Sequence, residues 1–541
     1  MSLVRLRQLD LRLGERLELA AGGLLAVAFL LRLRLASETY LNPDEAWVSL
    51  LAAPGSLSEL YAQATRTAHP PLLVFLLHAV KRVSDSEPAL RFIPLLAGVL
   101  FPWLVYRWLG CIWSRTAGFL ALVLLAFSPA LTALSAQVRG YTLLLVFVAA
   151  ALYWLERALR EDSPFWIGAF TAALYLAILT EFSAAFFAAS AALYFMWRAK
   201  ARRLRPAVWL TWLVGQAGAA LIYVGLLFTQ VLPRLERART SGEFEIWLAP
   251  LFPSPGESPW GVLLGGMLAQ LRYLFAAEWA PAACALLWPL GVALIARRAR
   301  ALLALCAAPF LLMWLAALAR LHPYTGSRHS ILLALFLAAG VAVAADRLIG
   351  SRPALAALLG LYLIFTGAGP NAARARADMP AENQAKVHLA AALRFLGETV
   401  PPGAVLLADV ETRLLLNHYL AGRQWLPETR HLPSEEQIGP LRVFATRWAY
   451  TALDELVSDF ELYCARYHPP PGQPVWVMDA GFTSALIERS EALLALWPRA
   501  CPHRFGEGIL LLEIPHQSDD AEEAGNSDAP SREMLFPSAQ R

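Results

Sequence analysis

Tyr40-Leu-Asn-Pro-Asp-Glu-Ala-Trp47, with Ala68-His-Pro-Pro71 one loop later, sets an adjacent carboxylate pair and a histidine directly behind the first long apolar run of the chain. Taken alone, Asp44-Glu45 after Pro43 reads as a solvated turn. Taken with the run before it, the pair opens the first outer loop of a membrane enzyme. The rest of the chain decides between the two.

Of 541 residues, 57% are hydrophobic and 16% charged, and 18 are Trp; the mean hydropathy is +0.48. That is too little charge to clothe soluble domains of this total size, so the class is a multi-span membrane protein, and nothing basic and clustered enough for nucleic acid stands out. The net charge of +4 matters less than where the cations fall. Arg5, Arg7, Arg12 and Arg16 precede the apolar run 17–35, which places the N-terminus in the cytoplasm and Asp44 outside. Ten further runs make this first one a retained anchor rather than a signal peptide.

Further runs at 91–106, 117–134, 141–155, 166–179, 183–197, 207–228, 281–296, 301–318, 330–345 and 353–368 bring the expected number of spans to eleven. The six gaps thereby assigned to the cytoplasm hold 18 Lys and Arg, densest at Arg198, Lys200, Arg202, Arg203 and Arg205, as that parity requires. Two long outer loops, 36–90 and 229–280, contain the short apolar stretches 72–80 and 260–275, expected to lie along the membrane surface and roof a cavity. Arg32 and Arg34 read as interface anchors.

An odd number of spans puts the C-terminal part outside. The predicted fold is thus an α-helical polytopic membrane domain over 1–370 and an extracytoplasmic α/β domain over 371–515, with strands at 403–409 and 475–479, helices at 385–396 and 412–420, and a disordered tail at 516–541. Cys464 and Cys501 form a disulfide or stay as two thiols. The chain shows no internal repeat, P-loop or zinc pattern.

Asn42-Pro-Asp-Glu-Ala46, His69-Pro-Pro-Leu72, Leu90-Arg-Phe-Ile-Pro94, Ser128-Pro with Gln137-Val-Arg-Gly-Tyr141, and Ser327-Arg-His329 together resemble the C-type glycosyltransferases, in particular the bacterial relatives of protein O-mannosyltransferases and the lipid A aminoarabinose transferase. The resemblance spans residues 15 to 370. It implies an inverting transferase of the bacterial inner membrane that takes sugar from undecaprenyl phosphate and gives it to an envelope lipid, polysaccharide or protein, with no metal and no other cofactor. A lipid or glycan transporter or flippase remains the alternative, although transporters tend to show related halves that this chain lacks.

The chemistry points to the same residues. Such a transfer needs a base for the acceptor proton and cations for the phosphate that leaves. Asp44 is the expected base, as the acidic residue at this place is in the resembling family, and Glu45 orients the acceptor or Asp44. Arg91, Arg139 and Arg328 stand at the outer ends of runs, where a lipid phosphate would lie. Arginine's planar fork suits an oxyanion, although each could equally snorkel among ordinary headgroups. His69 and His329 are expected to touch phosphate or sugar, or in the case of His69 only to shape the loop. Tyr141 and Glu181 complete the expected cavity wall, against the simpler readings of an interface aromatic and a turn residue.

Overall fold

The computed structural model describes residues 3–53, 55–241, 249–275, 279–350, 384–401, 404–421, 433–446, 453–468, 473–481, 494–495 and 497–515. The expected span 353–368 and the expected disordered tail lie outside them. Contacts divide the chain into one unit through Lys386 and a second from Val387, a later boundary than residue 370.

The first unit is helical: α1 (Leu3–Glu38), α2 (Pro43–Leu51), α3 (Leu57–Ala64), α4 (Leu72–Lys81), α5 (Glu87–Ile112), α6 (Arg115–Ala126), α7 (Pro129–Ser135), α8 (Tyr141–Glu161), α9 (Pro164–Ile178), α10 (Ala184–Lys200), α11 (Pro206–Leu226), α12 (Leu232–Ser241), α13 (Pro259–Leu274), α14 (Trp279–Arg298), α15 (Leu302–Cys306), α16 (Ala308–Leu318) and α17 (Leu333–Ile349). Eleven full-length spans are not what the described residues show. Five helical segments are long and apolar enough to cross a bilayer: Leu17–Glu38, Glu87–Ile112, Tyr141–Glu161, Pro206–Glu236 and Trp279–Arg298. Several of the other expected spans fold as helices below the roughly 20 residues a perpendicular crossing needs, such as α9 with 15 residues and α10 and α17 with 17 each.

Two of the expected spans are broken. The run 117–134 divides into α6 and α7, bent by 62°. Pro129 has no N–H to continue the ladder, and the Ser128 hydroxyl caps the new helix at Leu131 N–H while donating to the Leu274 carbonyl (2.8 Å). Arg32 closes the break from the side. Its guanidinium is fully buried and donates to the Ala126 carbonyl (2.8 Å) and to Ser135 Oγ (2.9 Å). The residue read as an interface anchor is therefore an internal cap, because a carbonyl opened inside an apolar layer must find a donor. The run 301–318 is a short apolar helix, Leu302–Leu318, interrupted at the single residue Ala307 between α15 and α16.

α11 runs into α12 through one π turn, Leu227–Val231, and from it Gln230 Nε2 donates to the carbonyls of Ala64 (3.0 Å) and His69 (3.3 Å). The short helix α4 is tied to α2 by Lys81 Nζ on the Ser49 carbonyl (2.7 Å).

The second unit holds α18 (Lys386–Thr399), β1 (Val405–Asp409), α19 (Val410–Leu420), β2 (Ser434–Ile438), β3 (Leu441–Thr446), α20 (Leu453–Tyr467), β4 (Pro474–Asp479), β5 (Cys501–Arg504) and β6 (Leu510–Pro515). The strands form one mixed sheet in the order β2-β3-β1-β4-β6-β5, parallel across β3, β1 and β4 and antiparallel elsewhere. Cys464 and Cys501 are free thiols. Asp409 and Asp479 end adjacent parallel strands, both buried. Burial first, and then the Asp479 charge, push the Asp409 carboxyl up to about 7. The native state therefore keeps a proton between pH ~4 and ~7 that the unfolded chain has released. The stability this contributes is complete below pH ~4 and lost as the pH rises through ~7. Asp409→Asn keeps the cap on α19, since Asn caps as well as Asp. It is expected to slow hydrogen exchange of the β1 and β4 amides at pH 8.5 and to leave it unchanged at pH 4. Exchange as fast as in wild type at pH 8.5 would remove Asp409 from this role.

Candidate active site

The site starts from a helix terminus. Asn42 caps α2, its Oδ1 accepting the Glu45 N–H (2.9 Å) while Glu45 Oε2 accepts the Asn42 N–H (3.0 Å), and Pro43 supplies the fixed first helical φ. This reciprocal cap fixes the direction of the carboxylate pair. Consecutive helical side chains diverge by about 100°, so with Glu45 turned in, Asp44 turns out.

Glu45 is wholly buried and fully engaged. Arg91, on α5 and equally buried, meets it with two parallel bonds of 2.7 Å, from Nε to Oε1 and from Nη2 to Oε2. Glu45 Oε1 also accepts the Val138 N–H (2.7 Å), and Oε2 accepts from Gln384 Nε2 (3.3 Å). The rest of the Arg91 fork donates to the carbonyls of Ala36 (2.9 Å), Thr39 (3.0 Å) and Tyr40 (2.8 Å) and to Thr39 Oγ1 (2.8 Å). Arg91 is thus placed apart from the phosphate contact expected of it, because its donors are spent on holding the α1–α2 turn and its side chain has no exposure. Glu45 likewise faces the protein rather than an acceptor.

By binding Val138, Glu45 also fixes the next residue. Arg139 forms an ion pair with Asp44, and Arg328, from the 3₁₀ turn Arg328–Ser330 ahead of α17, approaches the same carboxylate oxygen at 3.4 Å. Asp44 remains about one-third exposed. Two cations separated by 189 positions in sequence thus converge on one accessible carboxylate.

Around this trio stand the other expected residues. His69 Nδ1 pairs with the buried Glu181 carboxylate at 2.9 Å, and the His69 ring meets Tyr141 edge-on at 5.8 Å. Glu181 lies against Gly140, where an added Cβ would come within 3.2 Å of its Oε1. Glu181 is therefore packed onto the Arg139–Tyr141 turn as well as between two helices. His329 is held far below the usual imidazole range, down to about 3, first by burial and then by Arg328, His322, His69 and Arg139. It is a neutral, polar wall at working pH.

His322 was not singled out in the sequence. It packs edge-on against Phe186 (5.2 Å), and burial lowers its basicity in the same way. His322-Pro323 repeats the His-Pro pattern of His69-Pro70, which is the signal that could have marked it.

With this geometry established, the likenesses to known proteins can be set beside it. Residues 68–227 match the family model described as dolichyl-phosphate-mannose-protein mannosyltransferase, a stretch that includes His69, Arg91, Arg139, Tyr141 and Glu181. No curated protein matches the chain by sequence. Among solved structures, ArnT from Cupriavidus metallidurans is similar in its apo state (15% identity, TM-score 0.51, 91% of this chain and 98% of that one) and bound to undecaprenyl phosphate (14%, 0.54, 91% and 97%). The Archaeoglobus fulgidus oligosaccharyltransferase tethered to an acceptor peptide is similar at 14% identity and a TM-score of 0.50, over 90% of this chain and 71% of that one. The chain carries the membrane fold of the C-type glycosyltransferases that its motifs resemble, and through residues 68–227 it matches their protein mannosyltransferase family.

Proposed function

We propose that the protein is an integral-membrane, inverting glycosyltransferase of the bacterial cytoplasmic membrane. It moves a sugar from undecaprenyl phosphate to an envelope lipid, glycan or protein acceptor on the outer face. The observation that carries this reading is the convergence of Arg139 and Arg328 on the partly exposed carboxylate of Asp44. The undecaprenyl phosphate bound by the similarly folded ArnT supports the donor class.

Asp44 takes the proton of the acceptor hydroxyl as its oxygen bonds to the anomeric carbon. The bond from that carbon to the phosphate oxygen breaks, and the polyprenyl phosphate leaves with the electron pair on that oxygen. A phosphate is a stable leaving group, so no acid is required. The arginines meet the charge that builds on it with forked, permanently charged donors. They are the same groups that neutralise Asp44 without donor, so an arriving phosphate competes for them and releases the base when it is needed. Glu45 and Arg91 position this apparatus from below, and His69, Glu181, Tyr141 and His329 wall the donor and acceptor.

The test titrates the full-length protein in detergent with undecaprenyl phosphate. Arg139→Gln and Arg328→Gln each remove charged hydrogen bonds of roughly 1.5–3 kcal/mol, so each is expected to weaken binding about 10- to 100-fold. Unchanged affinity in both would defeat the phosphate role. Mass spectrometry of lipid-linked sugars with and without the gene should show one polyprenyl-phosphate sugar accumulating in its absence.

A further inference from the structure

The second unit carries a cluster of ligating side chains apart from the site above. The potential ligand atoms of Cys501, His503 and Glu513 all lie within 4.8 Å of one another. Strand register brings them together. Cys501 on β5 pairs directly with Glu513 on β6, and His503, two residues further along β5, projects from the same face. The His503 ring packs against Phe395 (4.5 Å) and Trp476 (6.2 Å), which also meet each other, with its Nε2 directed at Glu513.

The spacing fits a metal site as well as the ion pair that His503 and Glu513 form without one. His503 Nε2 and Glu513 Oε2 are 3.4 Å apart, longer than the roughly 2.7–2.9 Å of a charge-assisted hydrogen bond. It equals the edge of a tetrahedron around zinc, about 3.3–3.5 Å for Zn–N and Zn–O bonds of about 2.0–2.2 Å. The donors are one sulfur, one imidazole and one carboxylate, a borderline-soft set that suits zinc better than calcium or magnesium.

We propose that Cys501, His503 and Glu513 bind a zinc-class divalent cation, with three protein ligands and a fourth position open to solvent. β5 is a four-residue strand at the edge of the sheet, paired on one side alone, and the ion would staple it to β6 through side chains beside that short ladder.

The probe is Co²⁺ alone, titrated into full-length protein that has been reduced and stripped with chelator. The expected result is one cobalt per chain, with a thiolate-to-metal charge-transfer band and the intense visible bands of a tetrahedral site. Cys501→Ser loses the charge-transfer band, the isosteric Glu513→Gln weakens binding, and Cys464→Ser behaves as wild type. The proposal is overturned if wild type shows no charge-transfer band, or if the band survives Cys501→Ser. If Cys501→Ser loses its native circular dichroism, Glu513→Gln decides: wild-type cobalt affinity in that variant overturns the site.

Discussion

Asp44→Asn protein is expected to fold, insert and bind undecaprenyl phosphate at least as tightly as wild type, and to transfer sugar some 10²–10⁴ times more slowly, the range that a positioned general base supplies. Binding persists because the substitution removes a competitor for Arg139 and Arg328 and leaves both guanidinium groups in place. The rate falls because an amide cannot take the acceptor proton. The measurement pairs a donor-binding isotherm with a single-turnover transfer assay on the same preparation. A transporter or scaffold with this fold would show no such split, and transfer within a fewfold of wild type would remove Asp44 from catalysis. The outcome is separable from that of the arginine variants, which weaken binding itself.

Arg91→Met is expected to be the most destabilising single change around the site, by about 3–5 kcal/mol, since it leaves the Glu45 carboxylate buried without its cation. Neither side chain has any exposure. The asymmetry of such pairs gives a sharper test than the loss alone. Glu45→Gln in the Arg91→Met background removes the stranded charge, so the double variant should melt closer to wild type than additivity allows. Thermal melts of the four proteins in one detergent give the coupling. A coupling near zero would mean that the pair is a bystander. Arg91→Met should also depress transfer, because Val138 and the Asn42 cap are both held by the carboxylate that moves.

Much of this was legible in the sequence. The apolar runs and their basic gaps gave the class. Short motifs put Asp44, Arg139 and Arg328 at one surface, and the uniformly apolar cores of β1 and β4 showed as strands. The missing parts share a physical reason: each depends on which way a side chain turns. A sequence can place Asp44 and Glu45 side by side, but only the Asn42 cap shows that one faces out and the other in. Arg91 carries the same flanking signals as an interface cation, and only its burial shows that it faces the protein. The break after Ala126 depends on Arg32 arriving from α1, a contact between distant segments. Ser434–Ile438, five mostly polar residues, is a strand only because it lies at an edge of the sheet. The Cys501, His503 and Glu513 cluster has no linear zinc spacing because its third member comes from a neighbouring strand.

The π turn between α11 and α12 accommodates one residue more than an α-helical turn would hold. Upstream of it the helix keeps its lipid-facing and protein-facing sides. Downstream, everything is rotated by about 100° relative to an uninterrupted helix. Gln230 sits inside that extra turn and holds the carbonyls of Ala64 and His69. Deleting a single exposed position such as Phe228 would therefore restore a regular helix, conserve nearly all its hydrophobic area, and swing Gln230 off the loop that carries His69. Sequence length in this helix is thus under a constraint of phase: substitutions along its outer side should be tolerated freely, while one-residue insertions and deletions should not.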